Sequence, residues 1–157
     1  MTKLTHFDKY GKARMVDVSG KPVTEREAVA QGVISMKKAT LRMIKDLRIA
    51  KGDVLGVARV AGILAAKKTS ELIPMCHPLN IASINIDFDF DAKNSRIHIQ
   101  SRVRITGQTG VEMEALTAVS AAALTIYDMC KSADRGMIIS DIMLVEKKGG
   151  KSGVFKR

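Results

Sequence analysis

The sequence contains no tryptophan, two tyrosines and four phenylalanines in 157 residues. Proteins that hold single-stranded nucleic acid offer exposed aromatic faces on which bases stack, so this scarcity weighs against such a partner. Cysteine is also scarce. Cys76 and Cys130 make no disulfide framework, and the chain reads as soluble and cytoplasmic, with reduced thiols. No charge-free run of eighteen apolar residues is present, so no membrane-spanning helix is expected. The opening stretch, MTKLTHFDKYGKARMVDV, lacks the apolar core of a secretory signal. Acidic residues are the minority: 16 Asp and Glu against 26 Lys and Arg leave a formal charge of +10. That balance favours an anionic partner, and with few aromatics a small phosphorylated ligand ahead of nucleic acid. Charge alone fits a solvated basic surface equally well.

The length suits one domain over residues 1–157, with no internal repeat or linker. A loose arm is expected over about 1–22 and a basic, glycine-rich tail over about 147–157. Residues 24–36, TEREAVAQGVISM, carry mixed signals. Thr24 and Glu27 fit a helix capping box, whereas Gly32, Val33 and Ile34 favour a strand. Strand is preferred, because the sheet that follows needs another partner. Residues 38–47 have helical spacing at Leu41, Ile44 and Leu47. A second helix begins after Asp53, a natural cap, and ends near Lys67 and Lys68. Its side chains are small, with Gly56, Ala58, Ala61, Gly62, Ala65 and Ala66. Two glycines cost about 1 kcal/mol each relative to alanine inside a helix, which implies close packing against a second backbone.

Residues 81–90 and 96–105 alternate apolar and polar positions around a turn-rich DAKNS, the mark of a hairpin with one wet face. A long helix over about 111–132 and a strand over 137–146 complete the order β-α-α-β-β-α-β. The fold class is therefore α+β: a ferredoxin-like sandwich, a mostly antiparallel sheet with helices on one face.

Three segments carry chemistry. In IPMCHPLN, residues 73–80, prolines flank Met75, Cys76 and His77. A zinc site would need four donors, and only His6, His98 and Cys130 remain to complete one. A cysteine nucleophile normally draws its histidine from elsewhere in the chain. A proline-stiffened structural turn, or a loop presenting an imidazole as hydrogen-bond donor or proton carrier, fits better. In the 110–131 helix, Asp128 and Lys131 are three apart and share a face. They form either a surface ion pair or, if the apolar run before them buries them in part, an acid–base pair. Glu112 and Glu114 occupy the other end. At ~1.5 Å per residue, Glu114 and Asp128 lie ~21 Å apart, so one small ligand meets both only where two subunits adjoin. Finally, GGKSG at 149–153 is not a Walker motif, since Val145 stands where the first glycine belongs and no helix follows.

The blocks MVDVS (15–19), KGDV (51–54), ARVAGILAAKKTSELIPMCHPL (58–79), TGVEMEALTAVSAAALTIYDMCK (109–131) and KSG (151–153) resemble the MoaC family. These are the cyclic pyranopterin monophosphate synthases of molybdenum-cofactor biosynthesis. The resemblance implies conversion of 3′,8-cyclo-7,8-dihydroguanosine 5′-triphosphate to cyclic pyranopterin monophosphate and pyrophosphate. It also implies a homohexamer, a trimer of dimers with sites at dimer interfaces. A radical SAM enzyme would make the substrate upstream; this chain has too few cysteines for that step. On this resemblance Asp128 and Lys131 are expected to do acid–base work, with Lys51 a second proton carrier or phosphate contact. Met75, Cys76 and His77 would line the pocket, Cys76 for shape. Glu112, Met113 and Glu114 would hold the guanine-derived and ribose groups. Arg26, Lys67, Lys147 and Lys151 would take the triphosphate. No metal ligands and no cofactor are required, although Mg²⁺ can accompany the triphosphate.

The competing class is a small basic RNA-binding module. RNA-recognition sheets of this topology expose aromatics for stacking. Phe88 and Phe90 are instead expected on the apolar face, with Asn85, Asp87 and Asp89 on the wet one. Neither a nucleic acid nor a membrane is the expected partner.

Overall fold

The computed structural model describes Asp8 and residues 10–157; His6 and the rest of the opening stretch of the expected arm lie outside the described residues. The elements are β1 (Thr24–Ser35), α1 (Lys38–Lys45), α2 (Val54–Lys67), α3 (Thr69–Leu72), β2 (Ser83–Asp91), β3 (Arg96–Gly107), α4 (Glu112–Cys130), β4 (Ile138–Lys148) and β5 (Phe155–Lys156). The strands form one sheet in the order β2-β3-β1-β4-β5, every pair antiparallel. The first four strands and their crossovers make the ferredoxin-like split βαβ arrangement. The expected order holds, with the short α3 and β5 added. Among the described residues no helix is long and apolar enough to cross a membrane.

The strand signals win in β1. Its even positions Ala28, Ala30 and Ile34 are fully buried and join the core cluster. Gly32 shares that face, where a Cβ would stand 2.6 Å from Val119 Cγ1 of α4. Glu27 caps no helix. Its carboxylate accepts from Arg102 and Arg104, each at 2.7 Å, on the other face of the sheet. The hairpin alternates as read: Ile97, Ile99, Val103 and Ile105 are buried. Phe88 carries the Arg59 guanidinium 5.4 Å over its ring, and Phe90, near the strand end, is 37% exposed.

Asp53 caps α2 as its position predicts, accepting from the Gly56 N–H at 2.9 Å. The residues α2 buries are Val54, Ala58, Gly62 and Ala66, four apart and so on one face. That face lies on α4. A Cβ on Gly62 would stand 2.8 Å from the Ala118 carbonyl oxygen and 3.5 Å from Ala122 Cβ. Lys51, just before α2, reaches Asp128 near the end of α4, so the two helices run antiparallel. α4 answers with small side chains of its own: Ala115, Ala118, Ala122 and Ala123 are fully buried with Val119 and Ile126. Helix α1 stops at Lys45, short of Leu47, which adopts a positive φ of 54°. Strand β4 runs on through Lys147 and Lys148, and the tail returns as β5 to pair with Glu146 and Lys147.

Replacing Gly62 with alanine should destabilise the protein despite alanine's better helix propensity, by about 1–2 kcal/mol net, because the added methyl meets a backbone oxygen that cannot turn aside. At Gly20, nothing among the described residues lies within 4 Å of an added Cβ, and alanine should change stability by less than ~0.5 kcal/mol. Urea unfolding of both variants checks the contrast.

Candidate active site

The loop after α3 turns tightly, with the Cys76 N–H donating to the Ile73 carbonyl at 3.0 Å. This brings Met75, Cys76 and His77 to the start of α4. There they line a cavity of about 380 Å³ together with Glu112, Met113, Glu114, Lys21 and Val16. His77 Nε2 lies 2.8 Å from the Val16 carbonyl oxygen. A carbonyl only accepts, so Nε2 carries the hydrogen in this contact. Burial pushes the Cys76 thiol up, and the charge of Glu114 adds to this. A thiol held protonated is a poor nucleophile, which suits a shaping role.

The two carboxylates differ. Glu114 is 4% exposed, and burial, reinforced by the charge of Glu112, raises its pKa. Glu112 is only half-buried and has the Lys147 ammonium 3.5 Å away. Gly110 leaves room for that carboxylate, into which a Cβ would collide.

A second cavity of about 840 Å³ adjoins, lined by Lys21, Thr24, Arg26, Gly150, Lys151 and Ser152. Lys21 borders both cavities. Arg26 donates through Nε to the Gly107 carbonyl at 2.9 Å. Gly149 and Gly150 have φ values of 90° and 75°. Side chains there would strike the Glu25 carbonyl and the Arg26 guanidinium, so the tail wraps closely over β1. Lys147 also hydrogen-bonds Ser152. Lys67 is exposed in the last turn of α2, towards the same end of the helix pair, and lines neither cavity. The Thr24 hydroxyl is buried without a hydrogen-bond partner among the described residues. Lys21 and Thr24 were missed in the sequence because they fall where the loose arm passes into the strand. The arm is fastened there by Gln108, whose amide donates to the Ser19 and Lys21 carbonyls at 3.1 and 3.0 Å.

Lys51, Asp128 and Lys131 gather at the opposite end of α4. The Lys131 ammonium stands 2.7 Å from Asp128 Oδ1. Lys51 Nζ donates to Asp128 Oδ2 at 3.2 Å and to the Asp128 carbonyl at 3.0 Å. The partial burial considered for this pair is absent within one chain: the Asp128 and Lys131 side chains are 58% and 54% exposed. Ala122, Ala123 and Ile126 before them point into the core, and the pair points out. Hydrogen bonds from Lys131 and then Lys51 hold the Asp128 carboxyl below its usual range. Asp128 in turn holds the Lys131 ammonium above its own.

Exposed apolar side chains lie on the helices that join these two ends: Val57, Val60 and Leu64 on α2 and Leu124 on α4. As for metal donors, His98 is 3.8 Å from Asp91 on the wet face, whereas the Cys130 thiol is buried. No group of three or more His, Cys, Asp or Glu forms a metal-binding cluster among the described residues.

Comparison with known proteins gives a consistent answer. The MoaC family profile matches residues 15–150. The cyclic pyranopterin monophosphate synthase of Heliobacterium modesticaldum is 62% identical over 157 residues, covering 100% of this chain and 99% of its own. That of Pelotomaculum thermopropionicum is 61% identical, covering 100% of this chain and 92% of its own. That of Clostridium acetobutylicum is 61% identical over 153 residues, covering 98% and 95%.

Glu114 holds its proton more readily folded than unfolded. Its contribution to stability is therefore full below about 4.5, its ordinary value. It is lost as pH rises from there through the raised folded pKa. Glu114→Gln should flatten that loss, and thermal unfolding from pH 4 to pH 8 should show the variant gaining on the native chain as pH rises. Parallel curves would contradict the assignment.

Proposed function

The chain belongs to the MoaC family, and from this we infer its reaction: it converts 3′,8-cyclo-7,8-dihydroguanosine 5′-triphosphate to cyclic pyranopterin monophosphate and pyrophosphate, a step of molybdenum-cofactor biosynthesis. Ring opening and reclosure as a pterin need several proton transfers. A ribose-derived hydroxyl then attacks the α-phosphorus; an O–P bond forms and pyrophosphate leaves with the electron pair. Cations on the phosphate oxygens lower that barrier.

We propose that Glu112, Met113 and Glu114 hold the guanine-derived N–H groups and the ribose side, with Met75 and Cys76 shaping the wall. His77 exchanges a proton through Nδ1. Arg26, Lys147 and Lys151, with Lys67, take the triphosphate, with which Mg²⁺ can travel. Asp128 and Lys131 act as acid and base, and Lys51 as the second proton carrier.

The observation that carries the mechanism is the separation along α4. The pocket lies at one end and the charged trio at the other, ~21 Å away by helix rise, with an apolar helix face between. A two-fold pairing of chains across that face sets the trio of one beside the pocket of the other. The same contact withdraws the exposed trio from water, where desolvation disfavours the charged forms and so works against the shifts that the ion pairs impose. Three such dimers make the proposed homohexamer. A separate radical SAM enzyme supplies the substrate. The free thiols of Cys76 and Cys130 suit the reducing cytoplasm, where we place the protein.

The purified protein alone should release pyrophosphate and form the pterin together. Lys51→Ala, Asp128→Ala and Lys131→Ala should each abolish this in a folded assembly, and Cys76→Ser should keep most of it. Subunit mixing tests the shared site. Asp128→Ala and His77→Ala should be inactive apart. Refolded together they should recover about one quarter of native turnover, since half of random dimers are mixed and each has one intact site of two. Mixed oligomers without recovery would mean that each site is built within one chain.

A further inference from the structure

Asp134 has no place in the chemistry above, yet its side chain is 1% exposed and heavily partnered. Its carboxylate accepts from the Lys37 N–H at 2.8 Å, the Gly136 N–H at 3.1 Å and the Thr40 hydroxyl at 3.3 Å. The Lys37 ammonium lies 4.0 Å away. These contacts, the Lys37 N–H foremost, hold the carboxyl below its usual range, so it is buried as an anion. A buried anion keeps its partners, because losing one leaves charge uncompensated.

Lys37 is the N-cap of α1 and its own side chain caps nothing. Asp134, almost a hundred positions later in the chain, accepts instead from the N–H of the N-cap residue itself, the donor that a capping box satisfies, and from the Thr40 hydroxyl. The start of α1 is thereby tied to the loop that follows α4. Leu41 and Ile44 of α1 are buried in the core, and the Asp134 contacts fix the start of the same helix. Onward from α1 the chain is tightly wound. The Asp46 N–H donates to Arg42 and the Arg48 N–H to Met43, both at 2.8 Å, and the Gly52 N–H donates to Ile49 at 2.9 Å. Ile49 is buried at 7% exposure, and Leu47 and Gly52 sit at fixed positive φ values of 54° and 90°. The placement of α1 therefore carries through to Lys51.

Both fastenings of this segment fall on one turn. The Asp134 N–H donates to the Cys130 carbonyl at 3.0 Å. The Lys51 ammonium donates to the Asp128 carbonyl at 3.0 Å, one of the four carbonyls that a helix end leaves without partners. We propose that Asp134 is a positioning residue, clasping residues 37–53 to the last turn of α4 and thereby fixing the Lys51 ammonium at Asp128. The catalytic consequence rests on the reading of Lys51 given above; the clasp itself does not.

The experiment is trace reductive methylation of the full chain, with the rate at each lysine read by mass spectrometry, beside steady-state kinetics. In Asp134→Ala, Lys51 should label several-fold faster, while Lys131, held by its own helix neighbour, keeps its rate. The kcat should fall about tenfold or more with KM nearly unchanged, as expected for a misplaced catalytic group. Asp134→Asn keeps an oxygen for the Lys37 N–H and should recover most of both readouts. Lys37→Pro is the independent arm if Asp134→Ala fails to fold. The φ of Lys37 is −65°, which proline adopts, and the change removes the N–H while sparing Asp134; it should release Lys51 in the same way. Unchanged Lys51 labelling in both arms, or a uniform rise at every lysine, would overturn the clasp. Selective release of Lys51 with unaltered turnover would uphold the clasp and instead remove Lys51 from the chemistry.

Discussion

Everything in this molecule hangs on how closely α4 can lie against the sheet on one side and α2 on the other. Gly32 admits Val119 from the sheet side, and Gly62 admits the Ala118 carbonyl from the helix side. Ala115, Ala118, Ala122 and Ala123 complete a helix whose buried faces are almost flush with its backbone. Such packing fixes rotation and register, because there is little side-chain length to absorb a shift. The groups at both ends of α4 inherit that precision. Catalytic geometry needs placement to a fraction of an ångström, and a rigid helix delivers it more reliably than a loop.

The two ends of α4 are electrostatic opposites. Glu112 and Glu114 sit in its first turn, where the helix dipole favours negative charge. Lys131 and the Lys51 ammonium sit at its last turn, where the dipole favours positive charge. Burial then works on them differently. It raises the pKa of Glu114, while the exposed Asp128 is lowered by its two lysine partners. A single chain therefore offers a carboxyl primed to hold a proton at one end and an Asp128–Lys131 pair held in its charged forms at the other. Covering the trio with a second chain changes its dielectric, and with it the strength of every interaction the trio makes.

The basic tail is organised by backbone rather than by charge. Gly149 and Gly150 let it turn where side chains would collide with Glu25 and Arg26. It then adds β5 to the edge of the sheet. Lys147 reaches both Glu112 and Ser152, joining the acidic pocket to the cationic cavity. A tail of this composition reads as solvated in isolation, since nothing in KKGGKSG shows that the facing surface has a hollow fitted to it.

Alternation and small-residue spacing were enough to read the hairpin, both long helices and the order of elements along the chain, because each element shows a local periodicity that a buried face imposes. The Asp53 cap was legible for the same reason. The ~21 Å separation of Glu114 from Asp128 also followed from helix rise alone. The motif blocks pointed to the family and to the residues around His77. Tertiary structure decided what depends on partners distant in the chain. It turned Glu27 from a helix cap into an acceptor for two arginines. It left Asp128 and Lys131 in water rather than partly buried. It brought Lys21 and Thr24 to the cavity lined by Arg26 and Lys151, and it seated Asp134 under the start of α1. Burial and charge pairing are sums over neighbours from the whole chain, so residue type and local period determine which face a side chain takes, and only the packed molecule determines what it meets there.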